Sequence, residues 1–373
     1  MMDGTLICPA CGAQYPEDDV VWRCRCGSYL DLKETFRPDT KQFTGTHFLQ
    51  RYSSVLPLRD PKNAVSFGEH HTPLHPMEFY GIPVQVKMDY LLTTGSFKDR
   101  GAAVMINKCR ELGISRIVED SSGNSASAVA AYSALAGIDA HIFMPEGNSS
   151  AKTIQVSTYG ATLHKIPGNR TDCAMAAVEA AADSYYAAHT WNPYFLHGTK
   201  TVIYEIMEQM NWTPPGTIFI PVGSGTQLLG IWLGLREMKQ AGLIKTYPRL
   251  VAVQSEHCTP IKNFALGKVT PELPKTPILA EGIAIRHPAR LSQILQAVKE
   301  TDGETVTVTD RDIVEGLQMA AKQGVFMEPT SAAAVAALKQ YSNCLTARDR
   351  VVVPLTGHGL KASSRIHQIT GSQ

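Results

Sequence analysis

The sequence has almost no net charge, because 35 lysines and arginines are balanced by 34 aspartates and glutamates over its 373 residues. It lacks runs of basic residues, and no apolar stretch reaches the roughly 20 residues that a membrane-spanning helix needs. The first residues, MMDGTLICPACG, lack the basic and apolar regions of a secretory signal. We therefore expect a cytoplasmic protein that binds neither nucleic acid nor membrane.

The eight cysteines lack the dense spacing of a disulfide framework. Four are scattered, as buried thiols of an enzyme-sized chain are, and four lie as two tight pairs within residues 1–35. Four thiolates can bind Zn²⁺ tetrahedrally and so fold a segment too short for a core of its own. We interpret this segment as a structural zinc ribbon, with a ribbon of free thiols as the alternative. The predicted ligands are Cys8, Cys11, Cys24 and Cys26.

From about residue 80, apolar segments rich in β-formers alternate with helical patterns. Continuous apolar strands are typical of buried parallel sheets, so this alternation predicts an open α/β fold with helices on both faces. The predicted strands are 82–88, 115–122, 139–145, 161–166, 216–223, 249–256 and 349–357. The predicted helices include 126–137, 172–189 and 331–341. In such sheets ligands bind at the carboxyl ends of the strands.

Lys98 is the first candidate for chemistry. It follows the Gly95–Ser96 pair at the predicted start of a helix, where the positive end of the helix dipole favours a neutral amine. A lysine needs that neutral form to bond to a carbonyl carbon. A single lysine in this context is more often a solvated surface residue. The inference therefore depends on the whole string T-G-S-F-K-D-R-G, residues 94–101.

Two further loops lie between a predicted strand and a predicted helix. The first is Ser121-Ser122-Gly123-Asn124-Ser125, which can cap a helix and, for the same dipolar reason, bind a carboxylate. The second is Gly223-Ser224-Gly225-Thr226. Backbone N–H groups of a glycine-rich turn at a helix start form a phosphate site. We therefore predict two anion sites at strand ends.

These strings resemble motifs of the threonine synthases and their relatives among the tryptophan-synthase-β-like, or fold-type II, enzymes, which use pyridoxal 5′-phosphate (PLP). The resemblance covers the N-terminal ribbon and most of residues 65–365. It includes two more strings, E-P-T-S and P-L-T-G-H-G-L-K, at residues 328–331 and 354–361. The motifs occur in the family's order, which makes a chance match improbable.

The resemblance implies two open parallel-sheet α/β domains with the cofactor between them, in a homodimer. Lys98 would hold PLP as a Schiff base, Asn124 would contact the phenolic oxygen, and Thr356 would face the ring nitrogen. Gly223, Ser224, Gly225 and Thr226 would hold the cofactor phosphate. The substrate carboxylate would be held by Ser121, Ser122, Gly123 and Ser125. The predicted division is a ribbon (1–35), a larger cofactor-binding domain (36–90 and 170–373) and a smaller mobile domain (91–169).

Phe195 departs from the family pattern. Threonine synthases commonly have N-P-x-R-x-E-G-Q-K-T where this chain has N-P-Y-F-L-H-G-T-K-T, residues 192–201. Phenylalanine cannot form the bidentate contact that arginine makes with a phosphate. We nevertheless predict Phe195 in the substrate pocket. The segment 281–285, E-G-I-A-I, also resembles a segment of the dehydratases of this family.

Three functions follow as hypotheses. The first is a threonine synthase-like lyase that converts O-phosphohomoserine to threonine and phosphate, with Lys98 moving protons among the reacting carbons. The second is β-elimination or β-replacement on serine, threonine or phosphoserine. The third, from another class, is a catalytically silent relative that binds a partner through the ribbon. The retention of Lys98, Asn124 and Thr356 favours an enzyme that acts on a small amino acid.

Overall fold

The computed structural model describes residues 4–146, 151–274, 276 and 278–370. Its strands are β1 (Thr5–Ile7), β2 (Gln14–Pro16), β3 (Asp31–Lys33), β4 (Leu74–Phe79), β5 (Ile82–Lys87), β6 (Arg116–Glu119), β7 (Asp139–Pro145), β8 (Thr162–Ile166), β9 (Tyr185–Tyr186), β10 (Thr217–Pro221), β11 (Arg249–Ser255), β12 (Glu304–Val308) and β13 (Val351–Pro354). Its helices are α1 (Phe48–Arg51), α2 (Lys98–Glu111), α3 (Asn124–Ala136), α4 (Ala151–Thr158), α5 (Arg170–Ala180), α6 (Pro193–Thr199), α7 (Thr201–Gln209), α8 (Thr226–Gln240), α9 (Pro260–Ala265), α10 (Leu291–Glu300), α11 (Asp310–Lys322), α12 (Pro329–Ala337) and α13 (Ser363–Thr370). Within these described ranges, no helix has the length and apolar character needed to cross a membrane.

The described residues form two compact units. The first contains residues up to 71 together with 98–202 and 236–241, and the second contains 72–97, 203–235 and the residues from 242 onward. The division predicted from the sequence, into a ribbon, a larger cofactor-binding domain and a smaller mobile domain, stays a prediction.

The first unit contains two sheets. β1 pairs antiparallel with β2 and β3, which forms the small sheet of the N-terminal ribbon. The larger sheet is parallel, in the order β8-β7-β6-β9. Helix α2 packs against α3 and α6, and both α3 and α5 contact β7. This packing places the starts of α2 and α3 in the same unit.

The second unit is built on one sheet in the order β12-β11-β10-β13-β5-β4. All its strands run parallel except β4, which pairs antiparallel with β5. Every residue of β10 and β13 is buried, as expected for central strands covered on both faces. The alanine-rich helix α12 packs against these strands, since small side chains allow close approach. The predicted open α/β architecture is confirmed.

Each strand predicted from residue 80 onward contains an observed one, namely β5, β6, β7, β8, β10, β11 and β13. The long helix predicted for residues 172–189 is wrong in its second half. Helix α5 ends at Ala180, and Tyr185–Tyr186 form strand β9, which pairs parallel with β6. Both tyrosines are buried in this pairing. Their burial at the edge of the sheet outweighs the local helical preference of the alanine-rich segment.

Candidate functional site

Lys98 is the first residue of α2, as its motif predicts. The turn that leads to it contains Gly95 with φ of +84°, a conformation that glycine adopts without strain. The side chain is partly buried, and this burial lowers the pKa of Lys98 to about 7. The carboxylate of Glu119 opposes that effect, whereas the positive charge of Arg170 adds to it. Near neutral pH the Lys98 amine is therefore substantially uncharged.

Helix α6 fixes the beginning of α2 by very close packing. The ring of Phe195, which is fully buried, fills the space where a side chain at position 101 would lie, so Gly101 is required there. In the same way Gly198 lies directly against the carbonyl oxygen of Arg100. The Lys98 Nζ atom lies 5.5 Å from the centre of the Phe195 ring. The structure thus places Phe195 beside the candidate catalytic lysine.

The loop from Ser121 to Asn124 joins β6 to α3 in the same unit. The Ser121 hydroxyl accepts the Gly123 N–H at 3.2 Å, and Asn124 is the first residue of the helix. Gly123 is the N-cap residue, and no side-chain hydrogen bond caps the helix from there. A helix start without a side-chain cap leaves N–H donors for an anion. The loop is therefore able to bind an anion, and the roles predicted for Ser122 and Asn124 stay predictions.

We did not predict Glu119, the last residue of β6. Its side chain is completely buried and accepts the Ser125 hydroxyl at 2.9 Å. Its other oxygen accepts the backbone N–H of His189 at 3.2 Å, while the imidazole Nδ1 lies 2.9 Å from the first. Burial raises the pKa of Glu119 to about 7 and lowers the pKa of His189 well below its usual value. A carboxylate that ends a buried apolar strand was the sequence signal that could have identified it.

The glycine-rich loop of the second unit lies between β10 and α8, as predicted. Gly225 has φ of +82°, and a Cβ atom at Gly223 would come within 2.8 Å of the Ile283 backbone. Gln227, the second residue of α8, is buried, and its side-chain amide has no hydrogen-bond partner among the described residues. A buried amide without a partner is costly. A phosphate group held by this helix start would supply an acceptor, so the loop fits the cofactor.

Thr356, also in the second unit, follows β13 and is held by Ser331. The Ser331 hydroxyl oxygen accepts the backbone N–H groups of Thr356 and Gly357 at 2.9 and 3.1 Å. The same Ser331 oxygen lies 3.0 Å from the Thr356 side-chain oxygen, and either hydroxyl can be the donor. A hydroxyl whose oxygen already accepts is free to direct its own proton elsewhere. The Thr356 hydroxyl can therefore act as a donor, as contact with a ring nitrogen requires.

The four ribbon thiols come together as a group. The sulfur atoms of Cys8 and Cys26 lie 3.5 Å apart, as do those of Cys11 and Cys24. All four sulfurs lie within 4.8 Å of one another. Ligands about 2.3 Å from a tetrahedral zinc are about 3.8 Å apart. The four thiols thus have the spacing of a Zn²⁺ site.

The ribbon packs on the elements of the first unit that carry the site. Glu17 is buried and forms an ion pair with Lys108 of α2. Its backbone oxygen accepts the hydroxyl of Tyr194, the neighbour of Phe195 in α6, at 3.3 Å. The Trp22 ring meets Tyr186 edge to face, with 4.6 Å between the ring centres. The ribbon therefore supports α2, α6 and β9 directly.

Comparison with known proteins identifies the class that this fold and these motifs define. Residues 65–357 match the family model described as pyridoxal-phosphate dependent enzyme. The chain is 32% identical to the threonine synthase of Methanocaldococcus jannaschii, over 95% of this chain and 92% of that protein. It is 35% identical to the threonine synthase of Synechocystis sp., over 87% and 86% of the two chains.

The chain therefore belongs to the family of PLP-dependent enzymes, in which it is a threonine synthase-like lyase. Solved structures agree on the fold. An L-serine ammonia-lyase from Rhizomucor miehei has a TM-score of 0.70, at 20% identity over 81% of this chain and 98% of that one. Maize serine racemase has a TM-score of 0.66, over 82% and 94%. The predicted cofactor and the fold-type II architecture are confirmed, whereas the roles of individual site residues stay predictions.

Proposed function

We propose that this protein converts O-phosphohomoserine to threonine and phosphate, as a cytoplasmic homodimer. The observation that carries the proposal is the identity to threonine synthases along nearly the whole chain, with Lys98 in its complete motif at the start of α2. A small amino acid as substrate agrees with this relationship. Light scattering of the purified protein and fractionation of cells would test the dimer and the location.

The residues of the chain divide the work. PLP, when bound, withdraws electrons from the carbon atoms of the amino acid. Lys98 would hold the cofactor and, as a neutral amine, remove and return protons at the substrate carbons. The start of α8 would bind the cofactor phosphate through its N–H groups. The start of α3 would hold the substrate carboxylate, and Thr356 would donate its hydroxyl proton to the ring nitrogen.

A second function is favoured by Phe195. Its buried ring lies where the related synthases commonly have an arginine for the substrate phosphate, and an apolar ring disfavours a doubly charged group. β-Elimination or β-replacement on serine, threonine or phosphoserine requires no such arginine for the unphosphorylated substrates. The exposed Glu281 at the start of its dehydratase-like segment is the weaker support.

Incubation of the PLP-loaded protein with O-phospho-L-homoserine tests the two functions directly. We expect phosphate and threonine to appear in equal amounts, measured by phosphate release and by amino-acid chromatography. In the matched variant Phe195→Leu, which keeps an apolar side chain, we expect the same products. Keto acid from serine or threonine, without turnover of O-phosphohomoserine, would establish the second function instead.

We also propose that the four ribbon thiolates hold one structural Zn²⁺. We expect purified protein to contain one zinc per chain by elemental analysis. The variant Cys11→Ser should lose this zinc, because serine is a poor ligand for it. A ligand present at a hundred times its Kd raises the free energy of unfolding by about 3 kcal/mol. We therefore expect the free energy of unfolding of Cys11→Ser to fall by at least that amount.

The control is Cys344→Ser, since Cys344 is exposed and lies outside the ribbon. Its zinc content and thermal midpoint should match those of the parent protein. If removal of zinc from the parent protein leaves its thermal midpoint unchanged, the result would instead support the ribbon of free thiols.

A further inference from the structure

The buried carboxyl group of Glu119 has no part in the proposed division of work, yet it lies close to the residue on which the chemistry depends. The Phe195 ring connects the two places. Its centre lies 5.5 Å from Lys98 Nζ and 5.6 Å from the centre of the His189 ring. His189 in turn lies against Glu119, 2.9 Å from its carboxyl oxygen. Lys98 and the Glu119–His189 pair thus border one phenyl ring within the first unit.

The Glu119 carboxyl group is held by Ser125 and His189. Its two oxygens lie within hydrogen-bond distance of the Ser125 hydroxyl, the His189 backbone N–H and the His189 ring. Because Ser125 is the second residue of α3 and His189 follows β9, two separate segments of the first unit converge on this carboxyl group at the end of β6. Such convergence fixes the position and the orientation of a carboxyl group, as proton transfer requires.

Two other charged groups in this part of the first unit are poorer partners for the Lys98 proton. An arginine cannot accept a proton, which excludes Arg170. Asp120 already accepts the Tyr186 hydroxyl. The titratable or charged groups around Glu119 come from α2, α5, the β9 segment and the residue after β6; among the described residues they are Lys98, Arg170, Tyr186, His189 and Asp120.

We propose that Glu119, positioned by His189 and Ser125, is the proton partner of Lys98. An N–H bond of the Lys98 ammonium breaks and an O–H bond of the Glu119 carboxyl forms, so the amine becomes neutral; the reverse step restores the ammonium. The charge on each group is cancelled by the transfer, and no other reactant is needed. Groups of similar pKa exchange a proton with little free-energy cost, and both values are about 7 here.

This inference rests on the proposed bonding of Lys98 to PLP, so the experiment separates the two. The first readout is the rate at which the PLP-free protein captures added PLP, followed by visible absorbance as a function of pH. We expect the parent profile to rise with a midpoint near 7, as the lysine becomes neutral. In Glu119→Gln the midpoint should fall by about one pH unit, because a negative charge near the ammonium is lost.

The second readout is the exchange of the Cα proton of L-threonine in deuterated water by the PLP-loaded protein, followed by NMR. Threonine is a ligand under both proposed functions. We expect Glu119→Gln to exchange about 10²-fold more slowly, although its Lys98 is more often neutral. Capture that is preserved while exchange is lost distinguishes proton transfer from a general disturbance of the fold.

Two further variants test the contribution of His189. His189→Gln keeps an N–H donor for Glu119 and should retain most of the exchange, whereas His189→Leu removes the donor and should slow it. The matched control is Glu111→Gln, a carboxylate at the other end of α2 that accepts the backbone N–H groups of Arg59 and Asp60. It should behave as the parent protein does.

An unchanged capture midpoint in Glu119→Gln would overturn the inference, as would exchange at the parental rate. PLP capture that persists unchanged in Lys98→Ala would instead overturn the proposed role of Lys98, and the inference with it. Parent protein that captures PLP through Lys98 but does not exchange threonine contradicts the proposed function alone. The capture midpoint then decides whether Glu119 and Lys98 are coupled, and an unshifted midpoint rejects the inference.

Discussion

Lys98→Ala should lower turnover by about 10³-fold or more and abolish the covalent attachment of PLP. The lysine has two proposed roles, the bond to the cofactor and the transfer of protons, and loss of proton transfer alone typically costs 10²–10⁴-fold, which we round to about 10³. Borohydride reduction followed by peptide mapping would locate the attached cofactor. In the parent protein we expect it on the peptide that contains Lys98, and in the variant on none.

The same substitution should not destabilise the PLP-free protein. Because burial lowers the pKa of Lys98 to about 7, below the usual 10.5 of lysine, the unfolded chain binds more protons than the folded one between these values. The parent fold therefore becomes more stable as pH rises from about 7 to 10.5. Lys98→Ala lacks this dependence. Its thermal midpoint should exceed that of the parent at pH 7, and the difference should vanish near pH 10.5.

Lys165→Ala provides the control, because Lys165 is an exposed lysine of β8 in the same unit. It should keep activity, attachment and stability. Covalent attachment that survives in Lys98→Ala, on any other lysine, would contradict the assignment of Lys98. A variant that is less stable than the parent at pH 7 would contradict the lowered pKa.

Lys87→Met should lower the thermal midpoint by about 10 °C, which corresponds to roughly 3–5 kcal/mol in a unit of this size. Lys87 is fully buried at the end of β5, where it forms an ion pair with the equally buried Glu205 of α7. Its ammonium also donates to the Thr72 carbonyl oxygen and to the Gln209 side chain, both at 2.7 Å. Methionine keeps the length of the side chain but leaves the Glu205 carboxylate uncompensated in the interior.

Two comparisons make this prediction specific. Lys339→Ala removes a lysine that pairs with Asp312 and Glu315 while 43% exposed, and surface pairs contribute less than about 1 kcal/mol. Its midpoint should move by no more than about 3 °C. The double variant Lys87→Met with Glu205→Leu removes both charges and should recover most of the lost stability. A single variant as stable as the parent would contradict the predicted cost of leaving the Glu205 carboxylate without its ion-pair partner.

Much of the fold was predictable from local patterns. The apolar runs at residues 216–223 and 349–357 indicated buried parallel strands, and β10 and β13 are the two central strands that result. These two strands were predictable because a strand buried on both faces needs a continuous apolar run. The antiparallel edge strand β4 was not predicted. Its pattern L-H-P-M-E-F mixes polar and apolar residues, as one exposed edge allows.

The helix predicted at residues 181–189 is wrong for a non-local reason. The alanine-rich segment satisfies a helical pattern locally, but the parallel pairing of Tyr185 and Tyr186 with β6 turns it into a strand. That pairing depends on residues about 70 positions earlier in the chain. It also delivers His189 to Glu119, so the same non-local event creates the pair that the sequence did not predict.

The sequence by itself determined the class of protein, its cofactor and the lysine expected to bind it. These depend on contiguous strings, in which the backbone turn and the reactive residue are adjacent, so their chemistry can be interpreted without a fold. Only the tertiary structure decided that Phe195 packs on Gly101 beside Lys98. It also decided that the buried Glu119 carboxyl group accepts the Ser125 hydroxyl and lies against the His189 imidazole. Such relations join residues far apart in sequence, and burial, which shifts their pKa values, exists only once the chain has folded.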